Sequence, residues 1–308
     1  MDELKPYDSR EYLSRGKDIE DKLSEYVAQP GAMFIVLSPN LTGKSWLMAH
    51  ILERQKVRPF WIDARNVNRP ADVATQLAKA AGKSPPTTIT SAFRLTSFME
   101  ELLDEPTCVV WRHADALSEP GNSEREQVRH AIREWSQKNA QKEKFKQLRQ
   151  SLLMSGEGGR RYYYNNAMRA LVTLPDLDTP GGADISSLAS KLDVSLSDVK
   201  PQDLQKAVGG HIYYLRLALR SGPRVLKMLC KEPLLAEGPF RAHYVEFRKW
   251  LDERSRAERA IVRNLLAKAT APADEFVYEL MRQGVCKEDR SGIRYGLFEA
   301  FVKEYFKT

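Results

Sequence analysis

The sequence predicts an α/β fold: a mostly parallel sheet covered by helices, followed by a C-terminal half built mainly of helices. Two observations support this prediction. Across residues 33–175, apolar runs typical of buried strands alternate with segments of helical periodicity, as in parallel sheets with helices on both faces. After Pro180-Gly181-Gly182, short helical patterns continue without a clear strand until close to the end.

The elements of the first half follow from local patterns in chain order. The predicted strands are short, apolar and rich in β-formers, at residues 33–38, 59–64, 107–113, 151–156 and 169–175. A helical pattern follows the first strand, and a second helix opens at Pro70 and ends at Gly82, in keeping with proline at helix starts and glycine at helix ends. Further helices are predicted around residues 93–103 and 128–135.

The loop after the first strand has the second half of a phosphate-binding loop. "SPNLTGKS" occupies residues 38–45 and ends in Gly43-Lys44-Ser45. Such a loop turns backbone N–H groups toward an anion, lysine adds a positive charge, and the hydroxyl of the last residue ligates magnesium. Ser38 stands where the first glycine is expected, and Pro39 lacks an amide donor. The context therefore predicts a phosphate-loop origin, without establishing that the loop is active.

The third strand ends in "VVWRHADAL", residues 109–117. In a hydrolytic site of this architecture, an aspartate and a glutamate at the strand end hold the metal and position water. Here Arg112 and His113 occupy those places, and an arginine repels a cation. His113 is the one candidate base. We favour a non-catalytic histidine, because the end of the strand offers no carboxylate to hold the metal that hydrolysis requires. Asp115 is predicted to cap a turn.

Composition describes an ordinary folded protein. The chain has 308 residues, 42% hydrophobic and 29% charged, and a formal net charge of +7. We expect a cytoplasmic protein, because no apolar run is long enough to span a membrane and the N-terminus is too polar for a secretory signal. Cys108, Cys230 and Cys286 are widely separated and are predicted to be reduced, buried thiols. We interpret the basic run at residues 137–150 as a solvated helix face, not as a nucleic-acid groove.

The last part of the chain predicts a winged helix. Two helical patterns are followed by two short extended runs around Arg290-Ser291-Gly292, which is a hairpin signal. The hairpin carries Lys287, Arg290 and Arg294, which could contact DNA, but Glu288 and Asp289 dilute this charge. Packing against other protein is therefore favoured over DNA binding.

Taken together, these motifs resemble the AAA+ ATPases of the initiator-like and STAND-like branch, in particular the bacterial "AAA-like domain" proteins. The resemblance rests on six motifs in the same order, and it covers nearly the whole chain. They are "YLSRGKDIEDKL" with Arg15, the loop 38–45, "FWIDARN", "VVWRHADAL", "LLMSGEGGRR" with Ser155 in a polar sensor position, and "GGHIYYLRL". The C-terminal "GVCKEDRSGIRYGLFEAFVKEYF" resembles the family's wing.

The resemblance implies a P-loop NTPase core at residues 1–180, a helical lid at 181–238 and a winged helix at 239–308. It implies ATP or ADP as ligand, with magnesium doubtful and Ser45 as its candidate ligand. Arg160 and Arg161 are placed where their charge could reach a neighbouring subunit's nucleotide. The implied nucleotide-binding residues are Arg15, Ser38, Asn40, Thr42, Gly43, Lys44, Ser45 and Arg216.

The departures from the family pattern are concentrated in the motifs that bind and hydrolyse nucleotide in the family. The first loop glycine, both acidic residues of the third strand, the entry glycine (here Ser14) and the proline of the nucleotide-sensing motif (here Ile212) are all replaced. We therefore expect a pseudo-ATPase without efficient hydrolysis that acts as a regulatory or scaffold subunit of a bacterial assembly. A protein partner or self-association is expected, a membrane is not, and nucleic acid is not favoured. Two alternatives stay open: a slow active ATPase and a DNA-binding regulator of the replication or transposition type.

Overall fold

The computed structural model describes residues 7–9, 12–86, 88–118, 123–138, 141–155, 171–173, 183–196, 198–287 and 289–307. Its contacts divide the chain into two compact units. The first comprises Met1–Tyr7, Ser14–Ser38 and Lys44–Leu174, and the second comprises Asp8–Leu13, Pro39–Gly43 and Pro175–Thr308. The finer division after residue 180 into a lid and a winged helix stays a prediction.

The first unit contains the predicted parallel sheet. Among the described residues it has five strands in the order β2-β3-β4-β1-β5, and every neighbouring pair is parallel. The strands are β1 Met33–Leu37, β2 Arg58–Asp63, β3 Thr107–Arg112, β4 Leu148–Met154 and β5 Leu171–Thr173. In register, Leu37 of β1 lies opposite Met154 of β4, and Asp63 of β2 lies opposite Arg112 of β3. The loops that leave the carboxyl ends of these strands therefore emerge at one edge of the sheet.

Five helices of the first unit are described: α1 Lys17–Ala28, α2 Lys44–Gln55, α3 Pro70–Ala80, α4 Ala92–Leu102 and α5 Ser123–Lys138. Local chemistry sets their starts. Pro70 is the first residue of α3, where its missing N–H costs nothing, and the Ser91 side chain accepts the Arg94 N–H at the start of α4. The helices bury apolar side chains with the sheet in a core that includes Trp111, Trp135 and Phe145.

The second unit is helical in its described part. Its helices are α6 Ala183–Lys191, α7 Pro201–Val208, α8 Ile212–Leu219, α9 Pro223–Leu229, α10 Arg241–Asp252, α11 Arg256–Leu266, α12 Glu275–Arg282 and α13 Gly296–Tyr305. Ser255 and Glu258 form a reciprocal capping box at the start of α11. The predicted hairpin is present after α12, with an antiparallel bridge between Cys286 and Ile293. The core of this unit is rich in aromatic contacts, among them Phe247 with Phe301.

The interpretation of residues 137–150 as a solvated helix face is wrong. Helix α5 ends at Lys138, a 3-10 turn spans Glu143–Gln147, and β4 begins at Leu148. Arg149 on this strand is only 7% exposed. Its guanidinium donates to the carbonyls of Val27, at the end of α1, and of Gln147, at 2.9 and 2.8 Å. Backbone carbonyls at a helix end thus satisfy a buried cation, which a count of charges along the sequence does not reveal.

The cysteine prediction holds for two of the three residues. All three cysteines are free thiols; Cys108 and Cys286 are buried, but Cys230 is only half-buried. Burial raises the pKa of Cys108 to about 12, so this thiol is unreactive at neutral pH. In the part of the chain that the structure describes, no helix has both the length and the apolar character needed to cross a membrane.

Candidate phosphate site at the carboxyl edge of the sheet

The predicted phosphate loop lies between β1 and α2, and its backbone is tightly constrained. Leu41 and Gly43 both have positive φ angles, of 61° and 90°. Glycine adopts such angles freely, whereas a leucine rarely does, so the backbone is strained at Leu41. The Thr42 hydroxyl closes the turn by donating to the Pro39 carbonyl at 2.8 Å.

Lys44 is the buried cation of this loop. Its side chain donates from Nζ to the Ser38 carbonyl at 2.6 Å and to the Ser155 hydroxyl at 3.3 Å, and the residue is 8% exposed. Burial lowers the pKa of Lys44 to about 7; Asp115 acts in the opposite direction, and Arg15 lowers it further. The ammonium is therefore only partly protonated at neutral pH, and an anion beside it would raise its pKa again.

The tip of the loop makes its contacts within the second unit. The Asn40 N–H donates to the Arg282 carbonyl at 3.0 Å, and the Asn40 carbonyl accepts from His211 Nε2 at 2.9 Å. His211 is 2% exposed and packs edge-on against Tyr295. Both backbone polar groups of Asn40 are thus used inside the protein, so in this conformation its amide does not face the interior of the loop.

The end of β3 carries the two residues that replace the expected carboxylates. Arg112 is half-buried, and His113 has a left-handed backbone with φ of 52°. Burial and the neighbouring Arg65 lower the pKa of His113 to about 4, while Asp63 opposes them. His113 is therefore neutral at pH 7. Asp63 itself is occupied, because Arg65 donates to both its carboxylate oxygens, at 3.0 and 2.7 Å.

Asp115 links the ends of two strands. It lies in the 3-10 turn Ala114–Ser118 that follows β3, and its carboxylate accepts the Ser155 N–H at the end of β4 at 2.7 Å. The sequence predicts that Asp115 caps a turn, but the structure gives its carboxylate a partner on a neighbouring strand. Ser155 occupies the predicted sensor position and bonds to both Asp115 and Lys44. Parallel strands end at one edge of a sheet, so the sequence could have placed both residues at that edge, although it does not state that their two strands are neighbours.

The sequence-predicted site residues are divided between the two units. In the first unit, Lys44 lies within electrostatic range of Arg15 and bonds to Ser38, and Ser45 follows in the first turn of α2. Asn40, Thr42 and Gly43 belong by their contacts to the second unit, as does the half-buried Arg216 on α8. Arg160 and Arg161 lie outside the described residues. No group of three His, Cys, Asp or Glu side chains within the described ranges is arranged to hold a metal ion.

Comparison with known families identifies the fold to which this site belongs. A family model described as an AAA-like domain matches residues 90–307, more than two thirds of the chain. The chain belongs to the AAA-like domain family. This finding confirms the AAA+ superfamily resemblance of the sequence motifs. No curated protein sequence matches the chain.

Solved structures show the same fold at low sequence identity. A Walker-type ATPase of Pyrococcus abyssi superposes with a TM-score of 0.68 at 14% identity, covering 98% of this chain and 99% of that one. The ORC2 protein of Aeropyrum pernix, solved in ADPNP and ADP complexes, gives 0.63 at 12% identity, over 99% and 96%. The RuvB Holliday junction branch migration motor of Thermotoga maritima gives 0.53 at 11%, over 95% of each chain. At these identities the comparison establishes the P-loop ATPase fold, and it does not establish activity.

Proposed function

We propose that this AAA-like protein binds ATP or ADP without hydrolysing ATP efficiently. It serves as a regulatory or scaffold subunit of a bacterial multiprotein assembly, in the manner of a STAND-like pseudo-ATPase. Nucleotide binding is plausible for a P-loop ATPase fold, and the Aeropyrum ORC2 structure was solved in nucleotide complexes.

The observation that carries the proposal is the charge at the carboxyl edge of the sheet. Lys44 and Arg112 both influence His113 electrostatically and so lie near it. Two carboxylates are also close, but Asp63 is paired with Arg65 and Asp115 accepts the Ser155 N–H. Positive charge with occupied carboxylates suits an anion and opposes a divalent cation. The residues therefore fit the phosphates of a nucleotide, and they fit magnesium poorly.

Two residues of the loop, Lys44 and Ser45, have defined roles in this proposal. Lys44 binds the phosphates, and Ser45 with the N-terminus of α2 caps them, because the first N–H groups of a helix are free to bind anions.

Among the described residues, those at the end of β3 suit hydrolysis poorly. Attack on the terminal phosphate needs a group that orients water and a metal that neutralises developing charge. His113, with a pKa of about 4, is a weak base at neutral pH. Arg112 occupies the place of a metal-binding carboxylate. Binding and turnover are therefore expected to separate in this protein.

For the C-terminal part, we propose a winged helix at residues 239–308 that contacts protein, following a lid at 181–238. Its helix–helix–hairpin order, α11, α12 and the Cys286–Ile293 bridge, supports the first assignment. Arg294 on the hairpin lies over the Tyr295 ring, with the guanidinium carbon 5.6 Å from its centroid. Contact with its own fold favours packing over DNA binding. We also propose that the protein works in the cytoplasm with a protein partner or a second copy of itself.

The decisive experiment is a calorimetric titration of ATP and ADP, with and without magnesium. We expect Kd values of about 1–10 µM that change less than about threefold with magnesium. Lys44→Ala should abolish binding, whereas Lys22→Ala, an exposed lysine on α1, should leave it unchanged. Absence of nucleotide binding by the wild type would reject the proposal and would leave the loop a purely structural element.

One observation favours a second candidate, a slow ATPase. Asp115 is the carboxylate that raises the pKa of Lys44 and therefore lies near it. A turnover assay separates the two candidates: magnesium-dependent phosphate release that both Lys44→Ala and Asp115→Asn abolish would establish the slow ATPase. No release above that of Lys44→Ala would support the pseudo-ATPase.

A further inference from the structure

A polar pocket in the second unit contains three arginines and is not part of the phosphate loop. Its volume is about 280 Å³. It is lined by Arg248, Asp252, Arg259, Arg263, Tyr305 and Phe306, and we name it the arginine pocket. A pocket of this size admits a small ionic group and a few attached atoms.

Helical spacing explains why these side chains converge. Arg248 and Asp252 are four residues apart on α10, and Arg259 and Arg263 are four apart on α11. Residues at this spacing share one helix face, so each helix presents two adjacent polar side chains. The end of α13 supplies Tyr305.

The charges of the lining do not balance. Three guanidinium groups face one carboxylate, that of Asp252, so the lining carries a net charge of +2. The carboxylate accepts the Tyr305 hydroxyl at 2.8 Å and lies 4.0 Å from Arg248. Arg259 donates at 3.4 Å to the backbone carbonyl of Asp252, not to its carboxylate. The excess positive charge is therefore available to an external anion.

Two aromatic side chains hold parts of this lining in place. The Arg263 guanidinium lies over the Phe306 ring, with its carbon 4.5 Å from the centroid. The ring covers the face of the guanidinium, whereas the N–H donors point outward in the guanidinium plane. This leaves them oriented for bidentate binding of an oxyanion. Tyr305 packs edge-on against Phe306, with centroids 5.0 Å apart. The donors are therefore partly ordered before any ligand binds.

We propose that the arginine pocket binds a phosphate monoester dianion. A monoester carries nearly two negative charges at neutral pH and three acceptor oxygens, which match the net charge and the three guanidinium groups. A carboxylate or a phosphodiester carries one negative charge and leaves the lining unneutralised. The phosphate belongs either to a phosphorylated side chain of a partner protein or to a free phosphorylated small molecule.

The test must exclude the phosphate loop, so it uses the full chain with Lys44→Met. Phenyl phosphate is titrated into this protein and its Kd measured by calorimetry. The variant Arg259→Gln/Arg263→Gln, made in the same background, should weaken binding by at least tenfold, because charge-assisted hydrogen bonds are lost. The matched control is Arg224→Gln/Arg256→Gln, which removes the same charge from two exposed arginines outside the pocket and should change the Kd less than about twofold. Dimethyl phosphate, a monoanion, should bind at least about tenfold more weakly than phenyl phosphate.

Equal affinity of the pocket variant and the control variant would overturn the proposal, as would equal affinity for the diester. Duplex DNA binding that the pocket variant loses, without loss of phenyl phosphate binding, would also overturn it. A phosphoserine peptide that binds at least about tenfold more tightly than phenyl phosphate assigns the group to a partner protein. Equal affinities for the phosphoserine peptide and phenyl phosphate assign the phosphate group to a small molecule. All five results are independent of nucleotide binding at Lys44.

Discussion

The phosphate loop and the end of β3 lie at the same edge of one sheet, but only the loop has the residue types that its function in a hydrolytic site requires. The loop has a buried lysine at the start of a helix, which suits phosphate. The end of β3 has Arg112 and His113 where hydrolysis needs carboxylates. In the proposed function, binding a nucleotide and cleaving it depend on separate strand ends, which can be changed independently.

Burial of the protonated Lys44 side chain lowers the stability of the folded protein. A pKa that falls from 10.5 to about 7 on folding corresponds to ~5 kcal/mol against the folded state when the lysine is protonated. Its bonds to Ser38 and Ser155 do not remove this cost. A buried cation retained at such a cost is more typical of a binding site than of a core.

The largest expected effect follows from removing that cation. Lys44→Met should raise the free energy of unfolding at pH 6 by about 1–3 kcal/mol, less than the full cost because the Ser38 carbonyl loses its partner. The folded-state pKa is below the unfolded one, so between about pH 7 and 10.5 the unfolded chain binds more protons and wild-type stability rises with pH. The gain from Lys44→Met should therefore be ~2 kcal/mol smaller at pH 8.5 than at pH 6. Urea unfolding at the two pH values measures it.

Lys22→Met is the matched control for that prediction, because Lys22 is exposed on α1. It should change stability by less than about 0.5 kcal/mol at either pH. A Lys44→Met protein that is less stable than the wild type at pH 6 would contradict the prediction, and would mean that the bonds to Ser38 and Ser155 outweigh burial.

The next effect tests whether the end of β3 can be given metal-binding chemistry. Arg112→Asp replaces the repelling cation by a carboxylate close to the phosphate loop, so magnesium should tighten ATP binding by about tenfold in this variant. Calorimetry with magnesium and with EDTA measures the difference. Arg112→Gln removes the positive charge without adding a ligand and should stay insensitive to magnesium. Magnesium dependence in the Gln variant would show that removing the repulsion is sufficient, and no magnesium effect in the Asp variant would mean that the strand end does not reach the phosphates.

The sequence was sufficient for the sheet and the loop, because both depend on local patterns. Buried β-rich runs place strands correctly wherever polar turns separate them, and Gly43-Lys44-Ser45 marks the start of α2. The pattern failed at residues 137–150, where a buried arginine looks like surface charge until the carbonyls of Val27 and Gln147 are seen beside it. Its partner Val27 is more than a hundred residues away in sequence, and no periodicity encodes such a contact.

The candidate site was predictable in its types of residue and less so in its pairings. Arg15, Lys44 and Ser155 were identified from motifs, and they do lie together. The bond between Asp115 and the Ser155 N–H depends on the order of strands, which the sequence does not state. The contacts of Asn40 with Arg282 and His211 depend on tertiary packing in the second unit and had no local signal.

The smallest expected effect concerns His113, the candidate base. Because its pKa is about 4, the imidazole is neutral from pH 5 to 8 and contributes no charge to phosphate binding. Asparagine keeps a polar side chain and tolerates the left-handed backbone at this position. The ATP affinity of His113→Asn should therefore lie within about twofold of that of the wild type. The ratio of the variant's affinity to the wild-type affinity should be the same at pH 5 and pH 8. His130→Asn, at an exposed position on α5, provides the control for adding an asparagine. A ratio that changes near pH 6.5 in His113→Asn alone would show that His113 titrates in the normal range, and it would restore the imidazole as a charged participant at the nucleotide.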